Sequence, residues 1–368
     1  MTSHPYTGLV GPSPRSGAAG RMSIAFVVPM KGPEGLYAPS CLACAELAVT
    51  EINSSGGILG LPVDLIPIDG AQPAARVGDQ IARLVDARVV DAVAGWHSSD
   101  VRRAITKRVG GRVVYAFAAE HEDGDDTRGL FMVGERAANQ LQPAMNWMHQ
   151  ALGVRHWAFV GNDYIYPREA VRSVRAGMPR TATLDMTTFV PRGTTDFTEQ
   201  LDAIEAARPD AVYLLLIGAD AVHFNRQFGE RGLGSEIPRL ATTVEESALL
   251  AGDVGANEGL FSAKAYFDTI DTLEGHRFSD RYYAHFGAVA PPLNGVGESC
   301  YEALHLLSEV ARESGSLDVE DVDAVRSGFF YESPRGLMRI WGNVVSQDVY
   351  IAAADGLEFT VQEQIAHT

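Results

Sequence analysis

Trp96-His97-Ser98-Ser99-Asp100 places an imidazole, two hydroxyls and a carboxylate in one short stretch. Those groups could supply a nucleophile and its base. No G-x-S-x-G elbow surrounds either serine, however, and adjacency in sequence does not assemble a triad. The stretch reads better as the start of a helix, where Ser98 or Ser99 can cap and free N–H groups beside a hydroxyl can receive a carbonyl or carboxylate oxygen. A second stretch, Asn162-Asp163-Tyr164-Ile165-Tyr166-Pro167-Arg168-Glu169, sets Tyr164 and Tyr166 ahead of a proline suited to a first helical turn. Two rings with hydroxyls suit a small polar ligand, or packing between two lobes. The run Glu120-His121-Glu122-Asp123-Gly124-Asp125-Asp126 is dense in carboxylates. It is not an EF-hand loop, because Ala119 would take the first ligand position. Its distal half reads as a solvated acidic loop, whereas Glu120 and His121 stand where a strand ends. Cys41-x-x-Cys44 has no second pair and no nearby histidine, so it reads as core rather than as a zinc or redox site. Gly56-Gly57-x-x-Gly60 follows a helix and precedes a strand, the reverse of the dinucleotide-binding order, and there is no P-loop. No metal, no cofactor and no enzymatic activity are expected.

The elements that must position these groups alternate regularly. Ser23–Pro29, Pro62–Ile68, Ala92–Gly95 and Val113–Ala118 read as strands, with helices at Tyr37–Ser54, Val77–Val85 and Ser99–Val109 between them. The alternation restarts with a helix at Asn139–Leu152 and strands at Trp157–Gly161, Thr181–Phe189, Ala211–Ile217, Arg239–Ala241 and Leu260–Ala265. Two long helices, Leu273–Phe286 and Gly295–Ser314, precede short strands that suggest an antiparallel tail. Largely apolar strands in βαβ order predict an α/β fold of two doubly wound parallel-sheet lobes, with a ligand cleft at the carboxyl ends of the strands. The loops to inspect are then Met30–Leu36, Trp96–Ser99, Phe117–Glu122, Asn162–Arg168, Gly218–Asp220 and Thr242–Glu246.

The chain has 368 residues, long enough for about two domains. Lys plus Arg number 30 against 47 Asp plus Glu, a net charge of −17, which disfavours direct binding to nucleic acid or to an anionic membrane. Three cysteines do not make a disulfide scaffold. No apolar stretch approaches the ~20 residues that span a bilayer. Residues 1–21 are rich in Gly, Pro and Ser and lack a secretory signal's apolar core, so they read as a disordered leader and the expected location is the cytoplasm.

Several stretches carry a resemblance: Asp163–Glu169 (DYIYPRE), Glu46–Gly57 (ELAVTEINSSGG), Tyr266–Thr272 (YFDTIDT) and Thr242-Thr243-x-Glu245. Over roughly Ser23 to Gln362 the chain resembles the type I periplasmic-binding-protein family. It is most similar to the amide- and urea-binding branch that includes the cytoplasmic amide sensors of bacterial aliphatic amidase operons. The resemblance implies two lobes joined by three crossovers near Gly134, Ala265 and Ser333. The first lobe would then comprise 22–134 and 266–333, and the second 135–265 and 334–368. It implies a short aliphatic amide as ligand and an RNA-binding antitermination regulator as partner, released when the amide binds. Ser99, Tyr166 and Thr242 match ligand-contacting positions, and His97 falls where the family has a pocket tyrosine. The family's Tyr-Pro-x-x-Tyr-Glu-Gly wall is replaced by Ala116–Glu122, which puts Ala118 and Glu120 at the pocket. The same fold serves the capture protein of an ABC importer for amides, urea or branched-chain amino acids. An amino acid would need a carboxylate site at Ser98 and Ser99 and an anionic partner for its ammonium, a role open to Glu245 or Glu120. The sequence leaves a homo-oligomer open.

Overall fold

The protein is described by a computed structural model covering residues 20–122 and 124–367. Most of the expected leader, and Asp123 of the acidic run, lie outside the described residues. Five strands come first: β1 (Met22–Val28), β2 (Val63–Asp69), β3 (Ala92–Gly95), β4 (Val114–Phe117) and β5 (Leu130–Met132). Five more follow: β6 (His156–Asn162), β7 (Thr183–Val190), β8 (Ala211–Leu215), β9 (Arg239–Ala241) and β10 (Leu260–Lys264). The tail holds β11 (Ser327–Ser333), β12 (Gly336–Trp341), β13 (Val344–Ser346), β14 (Asp348–Asp355) and β15 (Glu358–His367).

These strands form two sheets, ordered β11-β12-β13-β5-β4-β3-β1-β2 and β15-β14-β10-β9-β8-β6-β7. Within them β1–β5 pair in parallel, and so do β6–β10. Both lobes therefore trace the same doubly wound path, reversing between β1 and β3 in one and between β6 and β8 in the other. The apolar runs explain the layering. Every residue of β1 and of β8 is buried, as strands covered by helices on both faces require. Helix Ala38–Ser54 lies directly against helix Gly295–Ser314. A Cβ at Gly297 would stand 2.2 Å from Ser40 Oγ and 3.0 Å from Cys44 Sγ, so only glycine permits this approach. Cys41, Cys44 and Cys300 are buried free thiols within the core.

The chain changes sheet after β5, after β10, and between β13 and β14. The third change was expected near Ser333, but it falls at Gln347. β12 and β13 instead extend the first sheet, with Val344 of β13 set parallel to Met132 of β5. Only β14 and β15 join the second sheet, through antiparallel pairing with β10. Short antiparallel strands carry no local mark of the sheet they will complete, because their preference comes from the neighbours they meet.

A buried network ties the crossings together. Arg335 donates to Glu302 Oε2 at 2.7 Å and to the Val133 carbonyl at 3.3 Å, and it also engages Gln347 Oε1. Its Nε lies 3.2 Å from Glu298. Glu135 accepts from the backbone N–H of Ala265 at 2.8 Å, linking the first crossing to the second. Burial raises the Glu298 carboxyl well above its ordinary range, against the pull of Arg335.

Candidate functional site

The carboxyl ends of both sheets face each other across the lobes, and a small cavity of about 10 Å³, room for about one water molecule, lies between them. His97, Ser98, Ser99, Ala119 and Glu120 line it from the first lobe, and Tyr164, Tyr166, Ile217 and Thr243 from the second. A wider groove at the opposite end of the first sheet is lined by Asp86, Arg88, Asp91 and Arg112. It touches one lobe only, so its occupant could not report closure.

Ser98 holds the N-cap position of helix Ser99–Val109 but makes no side-chain capping bond. Ser98 and Ser99 line the cavity, and the first N–H groups of the helix have no intrahelical acceptor, so this end of the helix can supply donors there. Ser99 is used within its own lobe, donating to Glu122 Oε2 at 2.7 Å. Glu122 also receives Arg102 at 2.6 Å and Arg103 at 2.8 Å. Burial alone would raise the Glu122 carboxyl; Arg102 chiefly, then Ser99 and Arg103, pull it below its ordinary value. A carboxylate held ionised in this way is a poor base, so Ser99 is not an activated nucleophile. His97 is fully buried. Its Nδ1 lies 3.1 Å from the Val27 carbonyl, which can only accept, so that nitrogen carries the proton. Nε2 then accepts from the Tyr115 hydroxyl at 2.5 Å. Burial, with a smaller push from Arg102, lowers its pKa to about 4 despite the Val27 bond, so the ring is neutral. Both ring nitrogens are thus engaged, and the His-Ser-Ser-Asp stretch assembles no nucleophile–base pair.

From the second lobe, the Tyr166 hydroxyl donates to Gln140 Oε1 over a long 3.5 Å. The Tyr164 ring lies under the Arg192 guanidinium, 5.1 Å from its carbon. Two expected contacts are displaced by one residue. Thr243 and Ala119 line the space, whereas Thr242 and Ala118 are buried behind it. The chain turns at Thr242–Thr243 just past β9 and bends at Ala119 just past β4, and Thr242 is directed toward Tyr213. Glu245 also sits behind the wall, accepting from the Gly295 N–H at 3.0 Å and pairing with Lys264. The distal half of the acidic run is solvated only in part: Gly124 and Asp126 are exposed, as expected, whereas Asp125 pairs with the buried Arg102.

Residues that the sequence did not single out hold the lobes together. Arg192, after β7, donates to Glu34 and to Asp100 of the first lobe at 2.9 Å each. The Tyr37 hydroxyl crosses to the Thr243 carbonyl at 2.8 Å, and Asn294 donates to Ser247 Oγ at 3.0 Å. Lys264 pairs with Glu120 across the gap. The lobes are therefore closed on one another.

Glu246 lies behind this contact, with Oε1 accepting from the Asp268 N–H at 3.0 Å and Oε2 unpartnered. Burial, reinforced by Glu245, raises its pKa from 4.5 to about 8. The unfolded chain ionises at the ordinary value while the folded protein keeps its proton, so this site's contribution to stability is lost as pH climbs from about 4.5 through about 8. Glu246→Gln should flatten that fall. It should raise stability at pH 8 by a few kcal/mol, at about 1.4 kcal/mol per pKa unit, with little change at pH 5. Urea midpoints at the two pH values read this out, and parallel pH curves for variant and parent would show that the folded carboxyl is ionised.

Two doubly wound lobes closed on a small cavity lined from both sides define a ligand-binding protein of the hinged, two-lobed class. The chain belongs to the periplasmic binding protein family, which matches residues 22–358. It is similar in structure to a Rhodopseudomonas palustris ABC-transporter solute-binding protein in complex with benzoate (TM-score 0.83, 18% identity, 95% of this chain and 97% of that one). It is similarly close to the branched-chain amino acid transporter substrate-binding protein LivJ of Streptococcus pneumoniae in complex with isoleucine (TM-score 0.81, 18% identity, 95% and 100%). The leucine-binding protein LivK of Thermotoga maritima matches at a TM-score of 0.81 and 19% identity, over 94% and 98%. At these identities the likeness is one of fold. The family and these structures are binding proteins.

Proposed function

We propose that the protein is the solute-binding component of an ABC importer and closes over a small polar organic solute. The observation that carries this reading is the cavity lined by both lobes. A solute touching both sides binds the closed form better than the open one and so shifts the population toward closure. The sensor of short amides expected from the sequence would share this fold and this cavity. Transport is preferred because two of the solved structures named above, the benzoate-bound and isoleucine-bound proteins, are transporter binding proteins. Those structures also suggest where to begin with solutes: aromatic carboxylates and branched-chain carbon skeletons, with short amides and urea beside them. The Ser98 hydroxyl and the helix N–H groups suit a carboxylate or carbonyl oxygen, and the two tyrosines suit an apolar body.

A thermal-shift screen over these compounds, followed by calorimetry, should give at least one saturable ligand, since binding to the folded state raises the melting temperature. Uptake of that compound should then fall in cells lacking the gene. Unchanged uptake together with altered amidase expression would support the sensor instead, and no ligand in either class would sink both.

A further inference from the structure

Lys264 ends β10 at the second crossing, and its side chain is only 2% exposed. Its ammonium pairs with Glu120 of the first lobe and Glu245 of the second. Glu120 is itself a wall of the cavity. Glu245 turns its other oxygen to the Gly295 N–H at the head of a long helix. Glu120, the carboxylate of this pair that faces the cavity, is therefore already held by an ammonium tethered to the chain, and Glu245 behind the wall shares that cation. Burial works against the charge on Lys264, and Glu120, Glu245 and Glu135 together outweigh it, so the side chain stays protonated. A second cation approaching Glu120 from the cavity would meet a like charge where water does not screen it. The other wall offers donors: the uncapped Ser98 hydroxyl and the first N–H groups of helix Ser99–Val109.

We infer that Lys264 is a specificity determinant: it fills the cation position between Glu120 and Glu245, so the cavity takes a small solute with no cationic group, such as a carboxylate or an amide, and turns away amines and α-amino acids. The inference rests on the solute-binding reading above and narrows its solute class.

The test uses n-propylammonium as a probe, close in size to the side chain that Lys264→Ala removes. In Lys264→Ala the amine should raise the melting temperature saturably, with a half-saturation at least tenfold below any effect on the parent protein. Adding Glu120→Gln should abolish the response, and n-propanol should give none. Lys264→Met keeps the space filled without charge and should not respond. Should Lys264→Ala fail to fold alone, recovery of folded protein on refolding with n-propylammonium is the same readout. Equal stabilisation of parent and variant, no rescue of Lys264→Ala, or rescue of Lys264→Met would each overturn the assignment. The solute screen stands apart from this experiment. Amine rescue without any solute for the parent would sink the transport reading alone, and solute binding without amine rescue would sink only the role of Lys264.

Discussion

Gly218→Ala should leave both lobes folded and keep them from meeting. Gly218 lies between β8 and the helix that begins at Ala219, with φ 55° and ψ −122°, a conformation closed to most L-residues. A Cβ there would stand 2.0 Å from the Pro33 carbonyl oxygen of the opposite lobe. No side chain can relieve that contact, because the obstacle is backbone. The lobes must part, and the Arg192–Glu34, Arg192–Asp100 and Tyr37–Thr243 links part with them. If each link is worth about 1 kcal/mol net, solute affinity should fall by roughly 100-fold. Solution scattering should show a larger radius of gyration. Gly232→Ala is the control: Gly232 has φ +71° and no neighbour within 4 Å of an added Cβ, so it takes backbone strain without a clash between lobes. An unchanged radius and affinity in Gly218→Ala, matching that control, would show that closure does not pass through this point.

Arg335→Met should be the most destabilising single substitution at the crossings, at about 3–5 kcal/mol. The guanidinium is buried among Glu302, Glu298, Gln347 and the Val133 carbonyl. Methionine keeps much of the volume and removes the charge. Glu302, which also accepts from the Tyr331 and Ser333 hydroxyls, would be left buried without a cation. The cost comes mainly from that stranded carboxylate rather than from the lost pair itself, so Glu302→Gln added to Arg335→Met should restore part of it. Urea unfolding of the single and double variants measures both effects. A loss below about 1 kcal/mol for the single variant would mean that water reaches and solvates the network.

The fold was legible wherever an apolar run and a helical period alternated. Ala92–Gly95, Ser99–Val109, Arg239–Ala241, Leu273–Phe286 and Gly295–Ser314 fall where those patterns place them. β5, β11 and β13 were not foreseen. β5 and β13 have three residues each and follow the preceding strand with no helix between, so the alternation that located the equally short β9 did not mark them, and β11 pairs through a register irregularity. The cavity's loops followed from the rule that ligands sit beyond the carboxyl ends of parallel strands. Which side chains enter the cavity did not follow, because Thr242 and Thr243, or Ala118 and Ala119, lie where the chain turns or bends past a strand end, and sequence spacing does not say which of two like neighbours points inward there. The links between lobes were hidden for another reason. Lys264 and Glu120 are 144 residues apart, and Arg192 and Glu34 are 158 apart. A lone lysine ending the apolar strand LFSAK was the available signal, since a charge in such a place needs a partner.

The path of the backbone has a consequence for biosynthesis. β11, β12 and β13 supply the far edge of a sheet whose other members were made before residue 133. Helix Gly295–Ser314 must seat against Ala38–Ser54, from the opposite end of the message. A ribosome that has translated two-thirds of the chain has therefore finished neither half. Pairings this distant along the polymer are slow to form, so the nascent protein should mature after release rather than half by half as it emerges.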